Sequence, residues 1–253
     1  MKIRSDFVTN SSSSSYCVSL SVKCKDGKEM GLDYWPEDED GSGTIYVSLK
    51  EEKVDAVMEE IKGCSSVAEL TDFLLNALDL HDLFSEIEDE TEMEQDLSND
   101  EYLTVISQAL EADEDGYFDM YPDILEGVKK QNEDFQKAMA QVRTLDELES
   151  VTVHEYFTGW GEFARDGMDD FLNAMNFYQE VPDEEDLDDE DFDDEDPDEM
   201  ECDMSMLTED EMELIREHFE NDSICQMDAH IDTTLTLSNG TIEKTCSLEG
   251  DTC

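Results

Sequence analysis

Positive charge is scarce in this chain. Lys and Arg number 15 against 72 Asp and Glu, which gives a formal net charge of -57 at pH 7. Physiological salt screens charges over roughly 8 Å, so neighbouring carboxylates on such a surface still repel one another, and they repel the phosphates of nucleic acids and anionic lipids. The composition therefore argues against direct binding to nucleic acid or to an anionic membrane.

Long apolar runs and closely spaced cysteines are also missing. No stretch approaches the roughly 18 apolar residues of a membrane-spanning helix. A serine run follows Lys2 and Arg4, where a signal peptide would carry its apolar segment. The seven cysteines are an odd number and include no Cys-x-x-Cys pair. We therefore expect no membrane span and free thiols in a reducing cytoplasm.

The motifs of common enzymes and metal sites do not occur either. The chain has no Gly-x-Ser-x-Gly nucleophile motif and no phosphate-binding loop. The acidic loops around Gly41 and Gly116 have Val47 and Pro122 where a calcium-binding EF-hand needs its closing carboxylate. Potential zinc ligands are scattered along the sequence. We therefore expect no metal and no other cofactor.

His154 and Glu155 form one candidate acid and base pair. They lie in a β-branched and aromatic stretch, residues 151–158, which predicts a strand just before Trp160. Successive residues of a strand point to opposite faces, and this argues against the pair acting together. An enzyme of unfamiliar type, with a site near His154, Glu155 and Trp160, is the alternative to a binding function.

The most distinctive stretch is the N-terminus, MKIRSDFVTNSSSSSYCV. We single it out as a possible recognition or modification segment, because hydroxyls beside Lys2 and Arg4 could become a switchable anionic patch on phosphorylation. The other reading is a polar lead-in to the strand that follows. The candidate residues are Phe7, Asn10, Ser11, Ser12, Ser13, Ser14, Ser15 and Tyr16.

This opening resembles the start of a family of bacterial proteins with no established activity. Those proteins begin with Met, a basic residue and Ile-Arg, followed by Phe-Val-Ser/Thr-Asn, a serine run and an aromatic residue. The resemblance rests on Lys2, Ile3, Arg4, Phe7 to Asn10, and the serine run with Tyr16. It covers less than a tenth of the chain. It implies a bacterial cytoplasmic protein and no particular chemistry.

Acidic residues are concentrated in runs. Residues 183–201 contain 15 Asp or Glu among 19 residues, and their mutual repulsion predicts a disordered linker. Such a segment could also act as an electrostatic arm that occupies a basic groove, as in proteins that imitate the charge of DNA. The arm residues that we single out are Asp183, Glu184, Glu185, Asp186, Asp188, Asp189, Glu190 and Asp191.

Strand patterns occur at both ends of the chain. Apolar residues alternate from Tyr16 to Cys24 and resume after Asp26-Gly27, which predicts a hairpin that pairs Cys24 with Met30 and Val22 with Leu32. Residues 44–49 could form a third strand. A second hairpin is predicted around Asn239-Gly240, with a two-residue loop that pairs Leu237 with Ile242.

Helical patterns fill the middle of the chain. The predicted helices lie within residues 50–142 and 167–179, and an acidic stretch at residues 79–100 interrupts the first set. Three starts carry a capping box or a related cap, at Ser66 with Glu69, Ser98 with Glu101, and Thr208 with Glu211. A similar pair, Thr144 with Glu147, predicts a short helical turn.

These patterns predict an α+β fold in which the terminal hairpins share one antiparallel sheet and acidic inserts are disordered. We expect an α+β domain at residues 1–180, a disordered acidic linker at residues 181–206, and a helix with a β-hairpin at residues 207–253. The 38% apolar content is sufficient for a genuine core. With no catalytic motif, the function we expect is non-enzymatic binding of a basic protein partner.

Overall fold

The N- and C-terminal hairpins flank a central strand in one five-stranded antiparallel sheet. The computed structural model describes residues 14–34, 47–50, 53–90, 97–113, 118, 121–160, 164–175, 206–221 and 224–252. Its strands are β1 (Ser14–Cys24), β2 (Glu29–Leu32), β3 (Leu148–Trp160), β4 (Ile224–Thr236) and β5 (Thr241–Thr252). Their order in the sheet is β2-β1-β3-β4-β5, and this confirms the predicted α+β class.

Helices form the middle of the chain, as predicted. They are α1 (Val54–Gly63), α2 (Val67–Ala77), α3 (Ser85–Glu90), α4 (Asn99–Ala112), α5 (Tyr121–Met139), α6 (Ala164–Ala174) and α7 (Glu209–Asn221). Short 3-10 helices lie at Asp82–Phe84 and Leu145–Glu147. The first of these and α3 fall in the acidic stretch that was expected to interrupt the helices. They form there because Leu83, Phe84 and Ile87 are buried.

Two of the predicted capping boxes are complete. At the start of α4, the Ser98 hydroxyl accepts from the Glu101 amide, and the Glu101 carboxylate accepts from the Ser98 amide. Thr208 and Glu211 make the same reciprocal pair before α7. Before α2, the Ser66 hydroxyl caps the Glu69 amide, while the Glu69 carboxylate binds Ser65 instead. These local signals fix where the three helices begin.

Both hairpins form, with loops and pairings that differ from those predicted. In the first, Val22 faces Met30 and Leu20 faces Leu32, a shift of two residues from the predicted pairing. A shift of two keeps every apolar side chain on the same face, so alternation alone could not detect it. The second loop contains four residues, 237–240, rather than two, and the amide of Gly240 at φ 70° donates to the Thr236 carbonyl.

Two other predicted elements differ in extent. The third strand expected at residues 44–49 is reduced, within the described residues, to isolated bridges at Val47 and Leu49. Residues 44–46 lie outside the described part. The helix expected at residues 167–179 begins earlier, at Ala164, and ends at Ala174. The short turn after Thr144 forms, but the Thr144 side chain does not cap it.

The chain divides into two compact units. The first contains Ser15–Tyr156 and His230–Thr245, and the second contains Phe157–Ala229 and Cys246–Cys253. The predicted division at residues 181–206 lies almost wholly outside the described residues. The core of the first unit combines one face of its strands with helices α1 to α5, through residues such as Leu20, Val22, Leu32, Met58, Leu74, Tyr102 and Phe135.

The second unit has its own buried residues. Phe157 meets Phe171 of α6 edge to face, with ring centroids 5.8 Å apart, and both are buried. Ile215 of α7 and Met227 of β4 are also buried. The amide of Leu248 donates to the carboxylate of Glu211, 2.9 Å away, and so joins β5 to α7 within this unit.

Candidate functional site

The predicted recognition segment is only partly within the described residues. Phe7, Asn10, Ser11, Ser12 and Ser13 lie outside them, and Ser14 and Ser15 begin strand β1. Tyr16, the last residue of the segment, donates its hydroxyl to the Glu155 carboxylate at 3.1 Å. The serine run therefore leads directly into the sheet. The electrostatic arm at residues 183–201 lies entirely outside the described residues.

His154 and Glu155 take part in two separate hydrogen-bond networks. His154 contacts Ser21 and Asp232, whereas Glu155 accepts from Tyr16 among the buried residues. The side chains diverge because they are adjacent on strand β3, where alternate residues point to opposite faces. Trp160 ends the strand, and its side chain is outside the described part. The described geometry thus separates the two members of the candidate acid and base pair.

Three side chains from three neighbouring strands form a hydrogen-bonded row. The Ser21 hydroxyl of β1 lies 2.9 Å from Nε2 of His154 on β3. The other ring nitrogen, Nδ1, lies 2.7 Å from Oδ1 of Asp232 on β4. A carboxylate can only accept, so Nδ1 carries the proton, and Nε2 of the neutral ring accepts from Ser21. We call this set the polar row.

Aromatic and hydroxyl side chains surround the polar row. Tyr156 stacks beside the His154 ring at a centroid distance of 6.5 Å and meets the edge of His230 at 4.9 Å. On the other side along the strands, the hydroxyls of Thr152 and Thr234 are 2.9 Å apart. These neighbours limit the positions that the imidazole can take. The His154 side chain retains 20% exposure and Asp232 retains 45%, so the row is in contact with solvent.

On the helix side of the same strand, Glu155 is a buried carboxyl group. Burial raises the pKa of Glu155, while the hydrogen bond from Tyr16 and the charge of Lys244 oppose the rise. Lys244 also lies 3.9 Å from Asp55 of α1. Among the described residues, no group of three or more His, Cys, Asp or Glu side chains is arranged to hold a metal ion.

The basic side chains of the described residues are largely engaged within the chain. Five of them pair with carboxylates: Lys23 with Glu149, Lys62 with Glu59, Lys137 with Glu133, Arg216 with Glu213, and Lys244 with Asp55. Others donate to neutral oxygens, as Lys25 does to the Asp146 carbonyl and Lys28 does to Gln141. The basic side chains named here are therefore already paired within the chain, and the chain has far fewer basic residues than carboxylates.

Helices α2 and α4 show the imbalance most clearly. Neither helix sequence contains Lys or Arg. Both pack against α5, and the buried amide of Asn99 joins them by donating to the Leu75 and Leu78 carbonyls. We call them the acidic helix pair, after their exposed carboxylates Glu69, Asp72, Asp100, Glu101 and Glu111.

The sequence pointed to His154 but missed Ser21 and Asp232. Ser21 was visible as a polar residue between the apolar positions of β1, and Asp232 has the same relation to the apolar residues of β4. Their meeting at His154 depends on β3 lying between β1 and β4, and no local pattern shows this.

The described helices include none that is long and apolar enough to cross a membrane. Comparison of the chain with protein-family models, with curated proteins and with solved structures gave no match.

Proposed function

We propose that this protein binds a basic partner protein through its surplus carboxylates. The observation that supports this most strongly is the acidic helix pair, two helices packed on a common neighbour that present carboxylates and contain no basic residue. The arm, residues 183–201, is a second anionic element in the proposal. A bacterial cytoplasmic location is part of it too, and the free thiols of Cys24 and Cys64 suit a reducing compartment.

Electrostatic binding of this kind should be fast, sensitive to salt and selective for basic partners. A strongly anionic surface accelerates the encounter with a cationic protein and keeps anionic molecules away. Exposed charges are screened by salt, so the association should weaken steeply as ionic strength rises. A folded, helical anionic surface also holds its charges at fixed spacing, and this allows one basic surface to be favoured over another. Selectivity of this kind separates a binding site from general polyanion behaviour.

Three charge-matched variants test the proposal. Each neutralises three carboxylates: Asp72→Asn, Asp100→Asn and Glu111→Gln on the acidic helix pair; Asp188→Asn, Asp189→Asn and Glu190→Gln in the arm; and Glu243→Gln, Glu249→Gln and Asp251→Asn on β5. Tagged proteins would be expressed in the native cells and purified from lysates at low and at high salt without cross-linking, and the captured proteins would be quantified by mass spectrometry. Deletion of residues 183–201 completes the set.

We expect the wild type and the β5 variant to capture a basic protein. The helix-pair variant, the arm variant, or both should fail to capture it. Capture should also fall at high salt. Equal losses in all three variants would indicate a non-specific polyanion, since their net charges are the same. Unchanged capture by the helix-pair variant, the arm variant and the deletion would reject the proposal.

A further inference from the structure

We infer that Ser21 is a nucleophile for acyl transfer, with His154 as its general base and Asp232 as the positioning residue of that base. This goes beyond the proposed binding function and does not depend on it. The substrate class is an ester or thioester that carries no negative charge. The inference rests on the connectivity of the polar row, which joins the serine to Nε2 and the carboxylate to Nδ1.

The connectivity is what nucleophilic catalysis by serine requires. A serine hydroxyl is a weak nucleophile unless a base within hydrogen-bond distance takes its proton. Nε2 of His154 lies 2.9 Å from the Ser21 hydroxyl, within that distance. The carboxylate of Asp232, 2.7 Å from Nδ1, fixes the tautomer and stabilises the imidazolium that forms. Such arrangements are recognised by geometry and roles rather than by position in the sequence.

The sheet holds the three groups on rigid elements. Ser21, His154 and Asp232 belong to three strands that are neighbours in the sheet, β1, β3 and β4. The ring of His154 lies between the contacts to Ser21 and Asp232 and beside Tyr156. Groups on strands are placed more accurately than groups on loops, and this favours a prepared nucleophile.

The negative charge that develops on the substrate must be stabilised by side chains. Strand β1 is paired with β2 at Ser21 and Gly31 and has β3 on its other side, so its amides serve the sheet. Lys23, two residues after Ser21, is on the same side of β1 because side chains alternate along a strand. Its ammonium group now binds Glu149 at 2.9 Å, an exposed pair that a substrate can replace.

Charge and aromatic surface define the substrate class. Asp232, on the far side of the imidazole from the nucleophile, and the net charge of -57 disfavour an anionic substrate. Tyr156 and His230, edge to face at 4.9 Å, offer an aromatic surface next to His154. Such a surface accepts an apolar group or a cation. We therefore assign neutral or cationic esters and thioesters, and exclude those that carry a free carboxylate.

The proposed reaction has two balanced steps. In the first, the Ser21 oxygen bonds to the carbonyl carbon, His154 takes the serine proton, the bond to the leaving alcohol or thiol breaks, and His154 returns the proton to it. In the second, a water molecule attacks the acyl-serine, loses a proton to His154 and releases the carboxylic acid. The proton on His154 then restores the Ser21 hydroxyl. Water is the only co-reactant.

Diisopropyl fluorophosphate tests the nucleophile directly, because serine displaces its fluoride and keeps the phosphoryl group. The intact wild-type protein would be labelled, digested and mapped by mass spectrometry, so that Ser21 is distinguished from the N-terminal serine run. We expect an adduct on Ser21 that is absent in Ser21→Ala and forms at least about 100-fold more slowly in His154→Ala. Ser247→Ala, at an exposed serine of strand β5, is the control and should label normally.

Circular dichroism of each variant shows whether it remains folded. Labelling of Ser21 at an equal rate in wild type and a folded His154→Ala variant would overturn the inference. Absence of any Ser21 adduct on the folded wild type, or adducts confined to other serines, would overturn it equally.

The role of Asp232 has a separate readout. The groups that face His154 are Ser21, Tyr156 and Asp232, with His230 beyond Tyr156. In Asp232→Asn the imidazolium loses its stabilising carboxylate, so the labelling rate should reach its plateau at lower pH, with a reduced maximum. A merely structural role would lower the amount of folded protein and leave the pH profile in place.

Hydrolysis of p-nitrophenyl acetate, compared with mono-p-nitrophenyl succinate, tests the substrate class, and equal rates would contradict it.

Discussion

The two sides of strand β3 contrast in what they hold. On one side, Thr152 and His154 bond to the side chains of neighbouring strands and remain in contact with solvent. On the other, Val151 and Val153 are fully buried, and Glu155 is buried among them. Five successive residues thus serve different purposes according to parity alone. The helix side provides stability through apolar burial, and the polar side provides ordered hydrogen bonds that are available for chemistry.

The largest expected difference in stability between the two faces of the sheet comes from two neighbouring residues of β1, Leu20 and Ser21. Leu20 is 1% exposed in the core, so Leu20→Ala should lower the free energy of unfolding by about 2–5 kcal/mol. Ser21→Ala removes a single hydrogen bond at a partly exposed site and should cost about 1 kcal/mol. Urea unfolding of both variants measures the difference. Equal losses would mean that the polar side carries as much of the stability as the core.

The pH dependence of stability tests the burial of Glu155 on the helix side of β3. Burial raises the pKa of Glu155 above the ordinary 4.5. At pH values between 4.5 and the raised pKa, the folded chain therefore keeps a proton that the unfolded chain releases. The contribution of Glu155 to the free energy of unfolding therefore falls as the pH rises through this window, and the penalty then stays constant. Below about pH 4.5 both states are protonated and the penalty is absent.

The variant Glu155→Gln cannot ionise, so its stability relative to wild type should increase as the pH rises through the same window. Urea midpoints measured at several pH values would show this. Glu243→Gln, at an exposed carboxylate of β5, is the control for the removal of one negative charge. A difference between Glu155→Gln and wild type that does not change with pH would contradict the assignment of a raised pKa.

A smaller effect is expected between the two threonines on the polar side. Thr152 and Thr234 lie on neighbouring strands with hydroxyls 2.9 Å apart. A double-mutant cycle of the two alanine substitutions should give a coupling of about 0.5–1 kcal/mol. A coupling near zero would show that the hydroxyls on this side contribute to stability independently, without ordering the strand pair.

The smallest effect lies away from the sheet, at an exposed position of helix α5. Apart from its chain neighbours and the backbone of its own helix, no atom of the described residues lies within 4 Å of a Cβ added at Gly127, so Gly127→Ala should raise the free energy of unfolding by about 0.5–1 kcal/mol. Gly27→Ala is the matched control, because its surroundings are equally open but its φ is 86°. That substitution should lower stability by about 1–2 kcal/mol. Changes of the same sign at both glycines would contradict this reasoning.

Local signals predicted the fold well. Apolar alternation located the two hairpins, and the reciprocal pairs Ser98 with Glu101 and Thr208 with Glu211 located the starts of α4 and α7. Each of these signals lies within a few residues of the structure it specifies. The short helix α3 was missed because its acidic residues conceal the buried Leu83, Phe84 and Ile87 nearby.

Local sequence patterns did not predict the register of the first hairpin or the contacts between distant strands. The register of the first hairpin was displaced by two residues because both registers keep the apolar residues on one face. Ser21, His154 and Asp232 come from strands separated by long stretches of chain, and they meet only because β3 lies between the two hairpins. Their individual polar positions were visible, but their assembly into a row was not.

The position of the proton on the His154 ring tests most directly whether Ser21, His154 and Asp232 form the hydrogen-bonded polar row. A long-range proton–nitrogen NMR spectrum distinguishes a protonated from an unprotonated ring nitrogen. In the neutral imidazole we predict a proton on Nδ1, facing Asp232, and an unprotonated Nε2 that accepts from Ser21. Rapid averaging between tautomers, or a proton on Nε2 with a bare Nδ1, would contradict the ordered row and the reactivity inferred from it.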